Sequence, residues 1–148
     1  MDIDLALEKL NKDYKMQKFI KCYERPYFKP KNDYFQSLVH SIVFQQLSGK
    51  VANIIYQRLI DLLPNSKITP KKVLMLSNDS MRRAGLSSQK INYIKNLADY
   101  FDSNIFNSSK VKKMNNEAIS VELIKIKGIG QWTVDMFLMF SLNRPDVM

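Results

Sequence analysis

The stretch IKIKGIGQWTVDMFLMF, residues 124–140, contains two of the chain's four glycines, separated only by Ile129. Apolar residues at helical spacing lie on both sides of the pair, so the pattern predicts two helices joined by a very short turn. Gly128, at the end of the first helix, can adopt a positive φ without steric cost. Gly130 lets a partner approach the backbone next to the N–H groups that begin the second helix, where anions are favoured. For the glycine pair alone, an ordinary helical corner with a glycine C-cap is the favoured interpretation.

The composition favours a helical globular protein with an anionic partner. With 148 residues, 45% of them hydrophobic, the chain is long enough to form one domain with its own core. Four glycines and five prolines are few for a turn-rich β protein. The 23 Lys and Arg against 14 Asp and Glu give a net charge of +9, which favours nucleic acid or an anionic membrane surface, although a basic solvated surface gives the same balance. A single cysteine, Cys22, excludes an internal disulfide and a cysteine-based metal cluster within these residues.

Helical periodicity predicts an all-α domain of many short helices, with no repeat, low-complexity tract or alternating strand pattern. The predicted helices cover residues 2–13, 14–26, two segments within 34–62 that are joined at QQLSGK, a segment begun by Thr69 and Pro70, a segment from Asn78 or Asp79 to Gly85, and residues 87–101, 116–126 and 131–143. Loops are predicted at 28–33 and 63–70, and residues 102–116 are predicted to be irregular. The N-terminus has neither signal-peptide nor transit-peptide character, and no apolar run is long enough to span a bilayer, so we expect a soluble intracellular protein.

Four stretches resemble, in the same order, the motifs of one family. LIKIKGIGQWT, residues 123–133, resembles the helix-hairpin-helix motif; Lys127 and Val134 stand where Pro and Ala are common. LVHSIVFQQLSGKVANIIYQRL (38–59) resembles the helix pair with the Gln-Gln-(Leu/Val)-Ser turn of alkylation-repair DNA glycosylases. GLSSQKINYIKNLADYF (85–101) and GIGQWTVDMFLMFSLNRPDVM (128–148) resemble two further segments of these enzymes. The chain is identified as a member of the helix-hairpin-helix (HhH-GPD) DNA glycosylase superfamily, in its 3-methyladenine glycosylase II branch.

The resemblance implies a single, incomplete all-α glycosylase domain over residues 1–148, with the hairpin at about 119–142. It implies an enzyme of base excision repair that flips alkylated purines, such as 3-methyladenine, out of double-stranded DNA and hydrolyses their N-glycosidic bond. We expect a monomer that requires neither a membrane nor a cofactor. The hairpin carbonyls would hold a monovalent cation. It would work in the cytoplasm at the nucleoid of a prokaryote, or in the nucleus of a eukaryote. A non-catalytic DNA-binding module and a helical protein-interaction domain are the alternatives.

The resemblance implies that two turns contact DNA. The predicted contacts are Lys127, Gly128, Ile129, Gly130 and Thr133 in the hairpin, and Gln46, Leu47 and Ser48 after Gln45. Leu47 or Gln46 would fill the space that the flipped base leaves. A buried Leu47 with Ser48 acting only as a helix cap is the structural alternative.

Trp132 and Met136, one helical turn apart, are the predicted base pocket. Trp132 stands where the bifunctional relatives have the lysine that forms a Schiff base, so the resemblance implies a monofunctional enzyme without lyase activity. An aromatic ring here can stack on a cationic alkylated base. The alternative is a core tryptophan that anchors the last helix. The lone histidine, His40, is interpreted as structural rather than catalytic.

No carboxylate in the chain matches the catalytic aspartate of the family. That residue is expected a few positions beyond the RPDV segment, past Met148, whereas Asp146 and Asp135 match other positions. The carboxylate would stabilise the oxocarbenium-like sugar and assist water attack. We therefore expect a C-terminally truncated glycosylase, with a degenerate protein that only binds DNA as the alternative.

Overall fold

Side-chain caps begin most of the helices, as the polar residues before each apolar run predict. The computed structural model describes residues 2–27, 31–103, 106, 108–145 and 147. Within them the α-helices are α1 Ile3–Leu10, α2 Tyr14–Cys22, α3 Tyr34–Phe44, α4 Gly49–Asp61, α5 Pro70–Met75, α6 Asn78–Arg83, α7 Ser88–Asp102, α8 Ser108–Val111, α9 Asn116–Ile124 and α10 Gln131–Phe140. No strand occurs in these residues, which confirms the all-α prediction.

Several predicted helix starts are confirmed in detail. Thr69 is the N-cap of α5, its Oγ1 accepts a hydrogen bond from the N–H of Lys72, and Pro70 is the first helical residue. This order suits both residues, because a proline at the first helical position has no N–H to leave unsatisfied. α6 begins at Asn78, one of the two predicted positions, with the side chain of Ser77 as its cap.

α3 is the central helix of the core. Leu38, Val39, Ile42 and Val43 are completely buried, and α3 packs against α4, α7 and α10. A helix covered on most of its circumference reads as a nearly continuous apolar run, which is what VHSIVF shows. Its burial places the turn at its C-terminal end, Gln45–Ser48, directly beside the start of α10.

The prediction of an irregular stretch over 102–116 is wrong in part. It contains the short helix α8, and Phe106 and Val111 are buried in the core. The ring of Phe106 contacts those of Phe101 and Tyr100, with centroids 5.4 and 6.2 Å apart. Two apolar residues among polar ones are too few to show a period, so only the tertiary contacts reveal this packing.

Smaller corrections concern helix ends. α2 ends at Cys22, earlier than the predicted end near Pro26, and α10 ends at Phe140, three residues before the predicted Asn143. Asn143 has φ +52°, a left-handed conformation that a helix does not continue through. The predicted loop 63–70 contains one 3-10 turn, Pro64–Ser66.

α1 and α2 contribute no buried residue to the core. Among the helices of the described residues, none combines the length and the apolar character that crossing a membrane requires. The single-domain organisation over 1–148 stays a prediction.

Candidate nucleic-acid interface

The two glycines between α9 and α10 have different reasons to be glycine. Gly128 has φ +105°, and a Cβ placed on it would lie 2.1 Å from Cγ of Tyr93. Both the backbone conformation and the packing against α7 therefore require glycine there. Gly130 has φ −98°, and a Cβ on it would meet no atom within 4 Å. The fold itself does not need Gly130, so the open space in front of α10 is free for a partner.

Gly130 is the N-cap of α10 and offers no side chain to its N–H groups. Its carbonyl accepts hydrogen bonds from the N–H groups of Thr133 at 2.9 Å and Val134 at 3.2 Å. The N–H groups that precede the first intrahelical bond face outward and carry the positive end of the helix dipole. Lys127 is exposed beside this end, whereas Lys125 pairs with Glu122 at 2.7 Å. Lys127 is therefore the stronger source of positive charge at the hairpin.

Gln45 joins the turn after α3 to the hairpin. Its Nε2 donates to the carbonyl of Gly128 at 3.1 Å and to Oγ1 of Thr133 at 3.3 Å. The two turns that the sequence predicts to contact DNA are thus held side by side through one carboxamide. Thr133 and Ile129 are both buried, so the structure does not present either side chain to a DNA partner as the sequence predicts. Thr133 instead accepts the hydrogen bond from Gln45.

Lys90, which the sequence reading did not single out as a functional residue, holds the same region from α7. Its Nζ donates to the carbonyls of Val43 at 2.6 Å and Gln45 at 2.8 Å, at the C-terminal end of α3. A cation in this position satisfies carbonyls that a helix end leaves without partners. Burial lowers the pKa of Lys90 below its ordinary value. A lysine that caps a helix distant in sequence leaves no local signal in the sequence.

Replacing Lys90 by methionine keeps the length of the side chain but removes the donor. We expect the free energy of unfolding to fall by about 1–3 kcal/mol, because two carbonyls at the end of α3 lose their partner. Urea denaturation of K90M and of the matched control K95M, on the same helix, measures the difference. Equal stability of the two variants would refute this role of Lys90.

The turn after α3 presents side chains outward. Gln46 is exposed with φ +56°, Leu47 is 37% exposed, and Ser48 makes no side-chain capping bond to α4. The alternative of a buried Leu47 and a capping Ser48 is therefore not what the structure shows. A non-glycine residue in the left-handed region costs about 1–2 kcal/mol, and such conformations cluster at functional sites.

A cleft of about 530 Å³ lies between α3 and α10, next to both turns. Its lining comprises His40, Ser41, Phe44, Gln45, Gln46, Gly130, Trp132, Thr133 and Met136. Trp132 is 73% exposed, which excludes the core-tryptophan alternative, and Met136 is partly buried on the same face. The structure thus brings the predicted pocket residues together with Gln46 and Gly130, while Leu47 and Ser48 lie outside this lining.

His40 packs against aromatic rings of α3 and α4 and also lines the cleft, so its structural role stays a prediction. Its ring stacks on Phe44 with centroids 3.9 Å apart and meets the edge of Tyr56 at 4.9 Å. Burial, and to a lesser degree the charge of Lys31, lower the pKa of His40. At neutral pH the uncharged imidazole is therefore the favoured form of His40 in the folded protein.

This shift predicts an acid-sensitive stability. Because the pKa of His40 is lower in the folded state, the unfolded state binds more protons below about pH 6.5. The free energy of unfolding should fall as the pH drops from 7.5 to 5.5, and less so in H40F, which keeps an aromatic ring. Denaturant titrations at several pH values test this. Parallel pH profiles for the two proteins would contradict it.

No carboxylate is among the residues that line the cleft. Asp135 lies on another side of α10, where its Oδ1 accepts a hydrogen bond from Nε2 of Gln131 at 2.7 Å. Asp146 lies outside the described residues. No group of three or more His, Cys, Asp or Glu in the described part of the chain could hold a metal ion. The cleft offers aromatic, thioether, amide and imidazole groups but no carboxylate.

The family model described as "HhH-GPD superfamily base excision DNA repair protein" matches residues 39–148. The chain belongs to this superfamily. The match covers the second half of the central helix α3, the turn after it, the hairpin and the residues that line the cleft between them.

Relatives within this HhH-GPD superfamily include DNA-3-methyladenine glycosylase 1 of Schizosaccharomyces pombe, which is 36% identical over 120 residues, 80% of this chain and 53% of the relative. Two solved structures are similar over most of this chain. A DNA-3-methyladenine glycosidase from Bacillus halodurans has 37% identity and a TM-score of 0.82, covering 94% of this chain and 64% of that one. A 3-methyladenine DNA glycosylase of S. pombe in complex with abasic DNA has 31% identity and a TM-score of 0.84, covering 100% and 73%. The chain spans about half the length of the curated relatives it matches.

Proposed function

We propose that this HhH-GPD chain binds double-stranded DNA and belongs to a monofunctional glycosylase that removes alkylated purines, such as 3-methyladenine, in base excision repair. The observation that carries the proposal is the exposed Trp132 in a cleft between the hairpin and the turn after α3. The position of Trp132, rather than its exposure alone, supports the proposal: the ring lines the cleft beside the N-terminus of α10, which carries no side-chain cap. The names of the relatives support the same reading.

In this proposal three sets of residues have different roles. The outward N–H groups after Gly130, with Lys127, hold a phosphate of the DNA backbone. Leu47 and Gln46 enter the duplex and take the place of the extruded nucleotide. Trp132 and Met136 then offer a π face and a polarisable thioether to the flipped base.

Hydrolysis of the N-glycosidic bond requires a carboxylate near the sugar, which stabilises the oxocarbenium-like transition state and assists water. The lining of the cleft supplies none. Trp132 cannot form a Schiff base, so β-elimination of the strand is not expected from this site. The described residues therefore account for binding of the DNA backbone, extrusion of the nucleotide and recognition of the base. The hydrolytic step depends on a carboxylate expected past Met148.

The alternative is a non-catalytic DNA-binding module, and the absence of a carboxylate from the cleft favours it for this chain taken alone. One experiment distinguishes the enzyme from this module. Methylated duplex DNA is incubated with this chain and with a version extended through the next aspartate, and the released bases are measured. Release by the extended version alone supports the proposal. Salt-dependent binding without release from either version supports the binding module and contradicts the enzyme.

Three further properties belong to this proposal. The protein acts as a monomer, without a membrane, at the nucleoid or in the nucleus according to its host. A monovalent cation binds at carbonyls of the hairpin; the carbonyl of Gly128 already accepts a hydrogen bond from Gln45 and keeps a second lone pair for an ion. Duplex affinity should then differ between buffers of equal ionic strength that contain potassium or only a bulky organic cation.

A further inference from the structure

We propose that one face of α7 continues the DNA interface beyond the hairpin and contacts the sugar-phosphate backbone. We call this face the α7 track and define it as Gln89, Asn92, Asn96 and the neighbouring Lys127. The inference rests on the proposed DNA binding and adds a second contact surface to it.

The α7 track is continuous with the hairpin. A cleft of about 460 Å³ runs from Gln46 and residues 128–130 to the first turn of α7 at Gln89 and Tyr93. A second cleft of about 480 Å³ is lined by Gln89, Asn92, Tyr93, Asn96 and Lys127. Gln89 and Tyr93 line both clefts, so the two clefts adjoin along α7.

The chemistry of the α7 track suits phosphates. Carboxamide, hydroxyl and lysine groups are the side chains that contact DNA phosphates most often, and no Asp or Glu lines either cleft. The side chains of Asn92 and Asn96 are exposed and have no hydrogen-bond partner within the described residues. Gln89 is the exception, since its Nε2 donates to the hydroxyl of Tyr93 at 2.5 Å. A stripe that served only solvation would have no reason to exclude carboxylates.

The spacing and length also fit a strand. Positions 89, 92 and 96 lie on one face of the helix and extend over about 10 Å at 1.5 Å per residue. Along the axis of a duplex, where each strand rises by 3.4 Å per nucleotide, this length corresponds to about three nucleotides. The stripe ends at Asp99, the next residue at this spacing and the first carboxylate on α7. The contact should therefore be short and confined to one side of the hairpin.

The test uses the double variant N92D/N96D of this chain. Each aspartate keeps the shape of the asparagine but replaces a donor by a negative charge. Fluorescence anisotropy with a labelled duplex that contains a central tetrahydrofuran abasic-site analogue should show binding weakened about tenfold or more at low salt. The matched control N78D, at the start of α6 and outside both clefts, should bind within about twofold of the unmodified chain. Urea denaturation of each variant checks that the fold is intact.

A second arm locates the contact. Duplexes carry neutral methylphosphonate linkages in three-nucleotide windows on either side of the analogue. One window should weaken binding of the unmodified chain and have no further effect on N92D/N96D. The α7 track is refuted if N92D/N96D binds the duplex as tightly as N78D does. It is also refuted if neutral linkages weaken the binding of N92D/N96D equally in every window. The hairpin proposal stands in both cases. If the unmodified chain shows no salt-dependent duplex binding, the proposed function fails as well.

Discussion

Replacing Gly128 by alanine is expected to lower the free energy of unfolding by about 2–5 kcal/mol. The left-handed conformation costs an L-residue about 1–2 kcal/mol, and the added methyl group would overlap the ring of Tyr93, whose Cγ lies 2.1 Å from the ideal Cβ position. The overlap includes Cβ of Tyr93 at 2.6 Å, close to the backbone of α7, so rotation of the ring alone does not relieve it. Urea denaturation of G128A measures the loss.

G130A is the matched control, because the same substitution two residues later meets open space at an ordinary φ. We expect its stability to change by less than about 1 kcal/mol. Its affinity for duplex DNA should nevertheless fall about tenfold or more, because the methyl group stands where a phosphate approaches the backbone. A stable G128A would disprove the packing argument, and full DNA affinity in G130A would disprove the phosphate contact at the hairpin.

Removing the ring of Trp132 should have a large effect on the recognition of alkylated DNA and a small effect on stability, the reverse of what is expected for G128A. The side chain is 73% exposed, so W132A loses little buried surface on folding. Stacking of a base on an aromatic ring contributes about 1–3 kcal/mol, which corresponds to a loss of about 5- to 150-fold in affinity for a duplex with an alkylated purine. Competition binding with alkylated and undamaged duplexes of the same sequence measures this selectivity.

Y27A is the control for W132A, because Tyr27 is 83% exposed and lies in a different part of the chain. It should leave the selectivity unchanged, and W132F should retain most of it through the remaining ring. Equal preference of W132A and the unmodified chain for alkylated DNA would remove Trp132 from the base pocket. A marked loss of stability in W132A would contradict the small contribution of this ring to folding.

The all-α class, most helix positions and the identity of the hairpin could be predicted because each depends on neighbours in sequence. Caps such as Thr69, periodic apolar runs such as that of α3, and the glycine pair act over a few residues. The burial of Phe106 could not be predicted because it depends on rings that come from α7. The ends of α2 and α10 were placed too late, since periodicity does not show where the backbone turns.

For the site, the sequence named Trp132 and both turns, including Gln45 and Thr133, but not the hydrogen bonds that hold the turns together. Gln45 reaches Gly128 and Thr133, and Lys90 reaches Val43, across separations of more than forty residues. Hydrogen bonds of this kind need only a donor and an acceptor at the right distance, and many pairs in the chain would satisfy that condition on paper. Likewise, the exposed or buried state of Trp132 depends on what covers it in space, so the sequence left both readings open.

The sequence by itself determined the helical class, the superfamily resemblance and the hairpin, because local backbone preferences and short-range patterns encode them. Only the tertiary structure decided that Gly128 is required by Tyr93 while Gly130 is left for a partner, and that Trp132 faces an open cleft without a carboxylate. The physical reason is that steric overlap, exposure and charge environment are properties of atoms brought together from distant parts of the chain.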